Sequence, residues 1–180
     1  MTREEKIKEL AKKMQENNET QKLEELIFTL FLNEEPVPYA RERHTRFGGK
    51  NGKGRFYNKR ANYMNRIHGE FEKQVSDDLK SKINQIISDK EEKRYYVTIN
   101  GKFFIKIPKS DSMKISALKE LNIIRPTVVR GDVDNYMKLI LDVLHGISYD
   151  DDAHVIDIHS EKFYSLHPRV ELEIRIQYEV

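Results

Sequence analysis

The run VVRGDVDNYMKLILDVLHGISYDDDAHVIDI, residues 128–158, decides how this chain is expected to fold. Val128 and Val129 lead into the turn Gly131-Asp132-Val133-Asp134-Asn135. Met137, Ile140, Leu141 and Leu144 then recur at helical spacing, and Gly146 is placed as the residue just past the helix end. After Asp150-Asp151-Asp152, Ala153 to Ile158 reads as a strand. The expected strand–helix–strand unit can carry its two acidic groups, one before the helix and one after it, to a common place.

Outward from this unit, the clearest element is the last. Val170, Leu172, Ile174, Ile176 and Tyr178 alternate with Glu171, Glu173, Arg175, Gln177 and Glu179, the period of a strand with one buried and one wet face. Upstream, Tyr95 to Ile99 and Phe103 to Ile107 flank Asn100-Gly101, a strong two-residue hairpin signal. Ser112 to Leu121 predicts a short helix that stops before Pro126. Tyr63, Ile67, Phe71, Val75 and Leu79 predict a long helix from about Lys59 to Ile87. Leu26 to Leu32 predicts a strand that ends before Pro36 and Pro38. Thr2-Arg3-Glu4-Glu5 fits a capping box ahead of Ile7, Leu10, Ala11 and Met14. The order of elements predicts a mixed α/β (α+β) domain, a small mixed β-sheet with flanking helices. It spans residues 25–180, preceded by a helical extension over residues 1–24.

Composition agrees with a single small domain. The chain has 180 residues, of which 38% are hydrophobic and 34% charged, a charged share above the roughly 25% of average globular proteins. Such a balance pairs a modest core with a large charged surface. Cysteine is absent, which excludes disulfides and thiolate metal sites. Met1 to Gln15 has no apolar run of the kind a signal peptide needs, and no stretch approaches the ~20 apolar residues of a membrane span. A soluble, cytoplasmic protein without membrane partners is expected.

The net charge of +2 hides a strong segregation. From Arg41 to Arg66 the basic residues Arg41, Arg43, Arg46, Lys50, Lys53, Arg55, Lys59, Arg60 and Arg66 face one acid, Glu42. Arg41 to Asn58 reads as a polar loop with Gly48, Gly49, Gly52 and Gly54, in which Phe47, Phe56 and Tyr57 offer stacking or wedging surfaces. Lys and Arg at this density suit a phosphate backbone, and aromatic side chains suit unpaired bases. The acids gather instead from Asp132 to Asp157. Asp132 and Asp134, two apart in an extended segment, would project to one face about 6–7 Å apart, a spacing that suits oxygen ligands of a hard cation. Asp134 is also placed to cap the next helix, with Lys138 one turn beyond and Asp142 a further turn along. Taken singly, each feature has an ordinary explanation: Asp-x-Asp and a triple aspartate are commonly solvated turns, and Asp142 with Lys138 a surface pair. An EF-hand is disfavoured, because Tyr136 and Met137 stand where an oxygen ligand and a glycine are needed. Clustered like charges repel, and a bound cation removes that repulsion.

Arg130-Gly131-Asp132-Val133-Asp134-Asn135, with Lys138, Asp142, Leu144, Gly146, Asp151-Asp152-Ala153 and Lys162, resembles the signature of RusA-type Holliday junction resolvases. Glu35-Pro36-Val37-Pro38-Tyr39-Ala40-Arg41-Glu42-Arg43 resembles the family's Pro-x-Pro-x-x-Arg-x-Arg segment, and Tyr57 with the helix after it also fits. The resemblance extends from about Ile27 to Tyr178 and leaves out the amino-terminal helix. Gly131 departs from the pattern, since the family often has proline before the first aspartate. The resemblance implies a homodimeric, Mg²⁺-dependent endodeoxyribonuclease, with Mn²⁺ able to substitute, that makes paired nicks across four-way DNA in recombination and repair. Carried over by position, Asp132, Asp134 and Asp152 match the metal-binding carboxylates, and Lys138 the essential lysine. Asp151 competes with Asp152 for the same role. Asn135, Asp142 and Lys162 fit as supporting residues. Arg41, Arg43, Arg46, Lys50, Lys53, Arg55, Lys59 and Arg60 are the expected DNA contacts. Alternatives are a broader flap or fork nuclease, a catalytically silent DNA-binding dimer, and a calcium-binding structural protein. A silent binder gains nothing from carboxylates facing phosphate, and a calcium protein does not use the basic loop.

Overall fold

Local signals are realised first at the amino end. The computed structural model describes residues 1–17, 23–39, 53–88, 94–127 and 131–179, with residues 53–60 as backbone. Helix α1 spans Arg3–Glu16 and opens on the expected capping box: Glu5 N donates to Thr2 Oγ1 at 3.3 Å, and Thr2 N donates to the Glu5 carboxylate at 2.7 Å. No residue of α1 is buried, so Ile7, Leu10 and Met14 face solvent.

The rest is built on a four-stranded mixed sheet of β1 (Leu23–Leu32), β2 (Tyr95–Lys106), β3 (Val155–Ser165) and β4 (Arg169–Glu179), in spatial order β1-β4-β2-β3. The alternating last strand is the centre of the fold, antiparallel to β1 on one side and to β2 on the other. Ile174 sits between Phe28 and Ile99 in register, and the buried face of β4 is the predicted one. β3 runs parallel to β2 and forms an edge. Two antiparallel pairings and one parallel pairing give the mixed α+β sheet expected. Helix α2 (Lys53–Gln74), α3 (Asp77–Ser88) and α5 (Val133–Leu144) supply Ile67, Phe71, Ile83, Ile140 and Leu144 to a core shared with the inward residues of the sheet. α4 (Met113–Glu120) begins at the Ser112 cap and lies against β3.

Four local expectations are overturned by tertiary contacts. Asn100-Gly101 does not turn: β2 is continuous through it. The Asn100 side chain donates to Glu173 on β4 at 3.0 Å, and a Cβ at Gly101 would stand 2.6 Å from Met137 Cε. That atom is the tip of a flexible side chain, so the strand's continuity here rests on its pairing with both neighbours. The long helix is two helices, because Ser76 accepts from Leu79 N at 3.3 Å and starts α3 with Asp77 and Asp78 in its first turn. Residues 53–58, expected as loop, belong to α2, while 40–52 lie outside the described residues. The strand expected from Ala153 begins at Val155, after a 3₁₀ turn over Asp152–His154. Among the described residues, no helix is long and apolar enough to cross a membrane.

Candidate active site

The start of α5 is a built position. Asp132, not Asp134, is its N-cap residue, extended at φ −75° and ψ 153°, and its side chain makes no capping hydrogen bond. Asp134 already belongs to the first helical turn, so the two carboxylates do not project as alternate residues of a strand. Asp134 instead accepts from Lys138 Nζ at 3.5 Å, with both side chains about half exposed. An uncapped helix N-terminus with an ammonium nearby attracts negative charge. Two neighbours hold this start in place. Lys162 on β3 donates to the Gly131 carbonyl at 3.1 Å, so the lysine acts on the loop backbone. Tyr39 N donates to the Asn135 carbonyl at 2.8 Å, tying the proline segment to the helix. The Asn135 side-chain oxygen is buried with no hydrogen-bond partner among the described residues. Gly131 has φ +91°, which proline cannot adopt, and a Cβ there would lie 2.5 Å from Pro38 Cβ. The departure from the family pattern therefore goes with a tightly packed backbone, not a loose one.

The three consecutive aspartates have three different environments. Asp150 accepts a hydrogen bond from the Tyr95 hydroxyl. Asp151 caps the 3₁₀ turn, accepting from Ala153 N at 2.8 Å. Asp152, the first residue of that turn, is exposed. The geometry thus separates Asp151, which has a local structural role, from Asp152. Burial, then the charges of Asp152 and Asp142, hold the Tyr149 hydroxyl well above its usual pKa. That hydroxyl donates to the Leu141 carbonyl at 2.8 Å, so both carboxylates lie near the last turn of α5.

The expected meeting of the two acidic groups does not occur within one chain. A parallel crossover must return from the end of β2 to the beginning of β3, so α5 runs back along the sheet. Its 12 residues place Asp132 and Asp152 near opposite ends of a rod of about 18 Å. Contacts fix both ends: Lys162, far along β3, reaches Gly131, whereas Tyr95, the first residue of β2, reaches Asp150. No group of three His, Asp or Glu side chains among the described residues is close enough to hold a metal ion. One chain therefore keeps Asp132 and Asp134 beside Lys138 at one end of α5, and Asp152 and Asp142 near Tyr149 at the other.

Of the expected DNA contacts, Arg41, Arg43, Arg46 and Lys50 lie outside the described residues. Lys53, Arg55, Lys59 and Arg60 fall in the first turns of α2 and are described as backbone. His154 is half-buried and stacks on Tyr95 with ring centroids 3.8 Å apart. Tyr95 itself carries no sequence signal beyond opening a strand, since its partners are 55 and 59 positions away.

Two comparisons bear on this arrangement. Residues 33–175 match the family described as endodeoxyribonuclease RusA, an interval that contains both ends of α5 and the aspartate turn. The chain is also similar to the uncharacterized protein YqaN of Bacillus subtilis (strain 168), 42% identical over 81 residues. That match takes in 44% of this chain and 56% of YqaN, so the chain spans just over half the length of this curated relative.

Proposed function

Because this chain belongs to the RusA family of endodeoxyribonucleases, we propose that it is a Holliday junction resolvase, cutting four-way DNA by paired, Mg²⁺-dependent nicks in cytoplasmic recombination and repair. The observation that carries this reading is the cluster at the start of α5. There the uncapped Asp132, the Asp134–Lys138 pair and the helix N-terminus converge in a position held by Lys162 and Pro38.

The donor set suits a hard cation, being all carboxylate oxygen. Asp132 and Asp134 would hold it, and Mn²⁺ is expected to replace Mg²⁺. A bound divalent ion supplies Lewis-acid charge toward the scissile phosphate. Lys138 places an ammonium beside that phosphate and offsets the charge that grows on it during displacement. The helix N-terminus adds donors of fixed orientation at the same point. Asp152 completes the set from a second copy. Two copies related by a two-fold axis, with α5 antiparallel to its mate, bring the Asp152 end of each beside the Asp132 end of the other. Support comes from the β3 edge, where Ile156 and Ile158 are 59% and 44% exposed. A homodimer with two such composite sites has the symmetry needed for two nicks.

A nicking assay on a synthetic four-way junction, with duplex, flap and fork controls and with or without Mg²⁺, tests the reading. Paired, Mg²⁺-dependent nicks confined to the junction are expected. Equal cutting of flaps would broaden the substrate class, and no cutting of branched DNA in Mg²⁺ or Mn²⁺ would refute it.

A further inference from the structure

Tyr95 touches the aspartate turn on both sides. Its hydroxyl donates to Asp150 Oδ1, and the Asp150 amide lies 3.5 Å from the same hydroxyl. Its ring stacks on His154, with centroids 3.8 Å apart and planes 16° from parallel. Its backbone carbonyl accepts from His154 Nδ1 at 3.2 Å, which sets the tautomer with the proton on that nitrogen. His154 Nε2 stands 3.8 Å from Asp150 Oδ1, beyond hydrogen-bond distance. One residue at the start of β2 thus grips the chain before and after Asp151-Asp152-Ala153. Asp151 stiffens the interval by capping it, and the Asp152 side chain is exposed.

We infer that Tyr95, Asp150 and His154 form a positioning staple that fixes the 3₁₀ turn and aims the Asp152 carboxylate at the cation. This rests on the reading of Asp152 as a cation ligand, and it deepens that reading by naming what holds the ligand in place. Metal-binding carboxylates depend on such outer partners, whose loss costs about 10–100-fold in metal affinity or activity. Burial, and then the hydrogen bond to Asp150, keep the Tyr95 hydroxyl well above its usual pKa, so it remains a donor at neutral pH. The staple acts through geometry. None of its three members needs to touch DNA or metal.

The test combines Mn²⁺ binding by calorimetry with single-turnover cleavage of a synthetic four-way junction. It compares the full-length wild type with Tyr95→Phe, Asp150→Ala and Asp150→Asn. Phenylalanine keeps the ring that stacks on His154 and removes only the hydroxyl, while asparagine keeps an oxygen that accepts the bond. Tyr95→Phe and Asp150→Ala should weaken Mn²⁺ binding and slow cleavage by about 10–100-fold, with junction affinity and a cooperative melt retained. Their combination should be no worse than either alone, because both remove the same bond. Asp150→Asn should stay close to wild type. Wild-type Mn²⁺ affinity and rate in Tyr95→Phe and Asp150→Ala would overturn the staple. So would an Asp150→Asn protein as impaired as Asp150→Ala, which would make the Asp150 charge itself the active feature. A wild type that neither binds Mn²⁺ nor nicks the junction would instead remove Asp152 from its proposed role.

Discussion

Replacing Gly131 by alanine perturbs the start of α5 without touching any charged group. Two separate costs can be worked from the structure. The residue has φ +91°, where a side chain costs roughly 1–2 kcal/mol. The added Cβ would also lie 2.5 Å from Pro38 Cβ and 2.8 Å from Pro38 Cγ. A proline ring cannot rotate away, so the backbone must move, and overpacking of this kind costs about 1–3 kcal/mol. The sum is about 2–5 kcal/mol. Urea unfolding measures it: with a slope of about 1–3 kcal/mol per molar, the midpoint should fall by roughly 1 M or more. A double-mutant cycle separates the two costs. Pro38→Gly removes the atoms that clash but leaves the strained φ, so the pair should show a favourable coupling of about 1–3 kcal/mol. Cleavage should suffer beyond stability, because Gly131 precedes Asp132 and its carbonyl is the anchor for Lys162. An unchanged midpoint, or strict additivity with Pro38→Gly, would show that this loop yields freely and that the tight approach does not hold Asp132.

Asp132→Asn, Asp134→Asn and Asp152→Asn should each abolish cleavage while junction binding by gel shift persists, since asparagine keeps the shape and removes the charge; near wild-type cutting by one of them would strike that residue from the ligand set. Arg41, Arg43 and Arg46 changed together to alanine should weaken junction binding and flatten the log–log salt slope by about one unit per lost phosphate contact. An unchanged slope removes the segment from the DNA interface. Mn²⁺ at a hundred times its Kd should stabilise the fold by roughly 2.7 kcal/mol, seen as a raised melting temperature. Asp134→Asn should remove most of that rise. With the carboxylates divided between the ends of α5, the rise should also shrink on dilution below the dimer dissociation constant, and a shift independent of protein concentration would argue for a site within one chain.

Read alone, the sequence determined what depends on near neighbours. The Thr2–Glu5 cap, the short helix near Ser112 to Leu121, the alternation of β4 and the amphipathic run of α5 are all set within a few positions, and each stands where it was expected. The signature around Asp132, Asp134 and Lys138 was legible for the same reason, since its members lie within one or two helical turns. Tertiary structure decided whatever pits a local preference against a distant partner. Asn100-Gly101 is a strong turn signal, yet pairing with both β3 and β4 keeps it in a continuous strand. Three adjacent aspartates are indistinguishable as a string. A tyrosine 55 positions away binds Asp150 and a local amide binds Asp151, which sets both apart from Asp152. The parting of the two acidic groups was hidden in the same way. Periodicity reports that α5 is a helix, but only the parallel pairing of β2 and β3 dictates that it runs back along the sheet, and so puts the two acidic groups near opposite ends of a helix about 18 Å long.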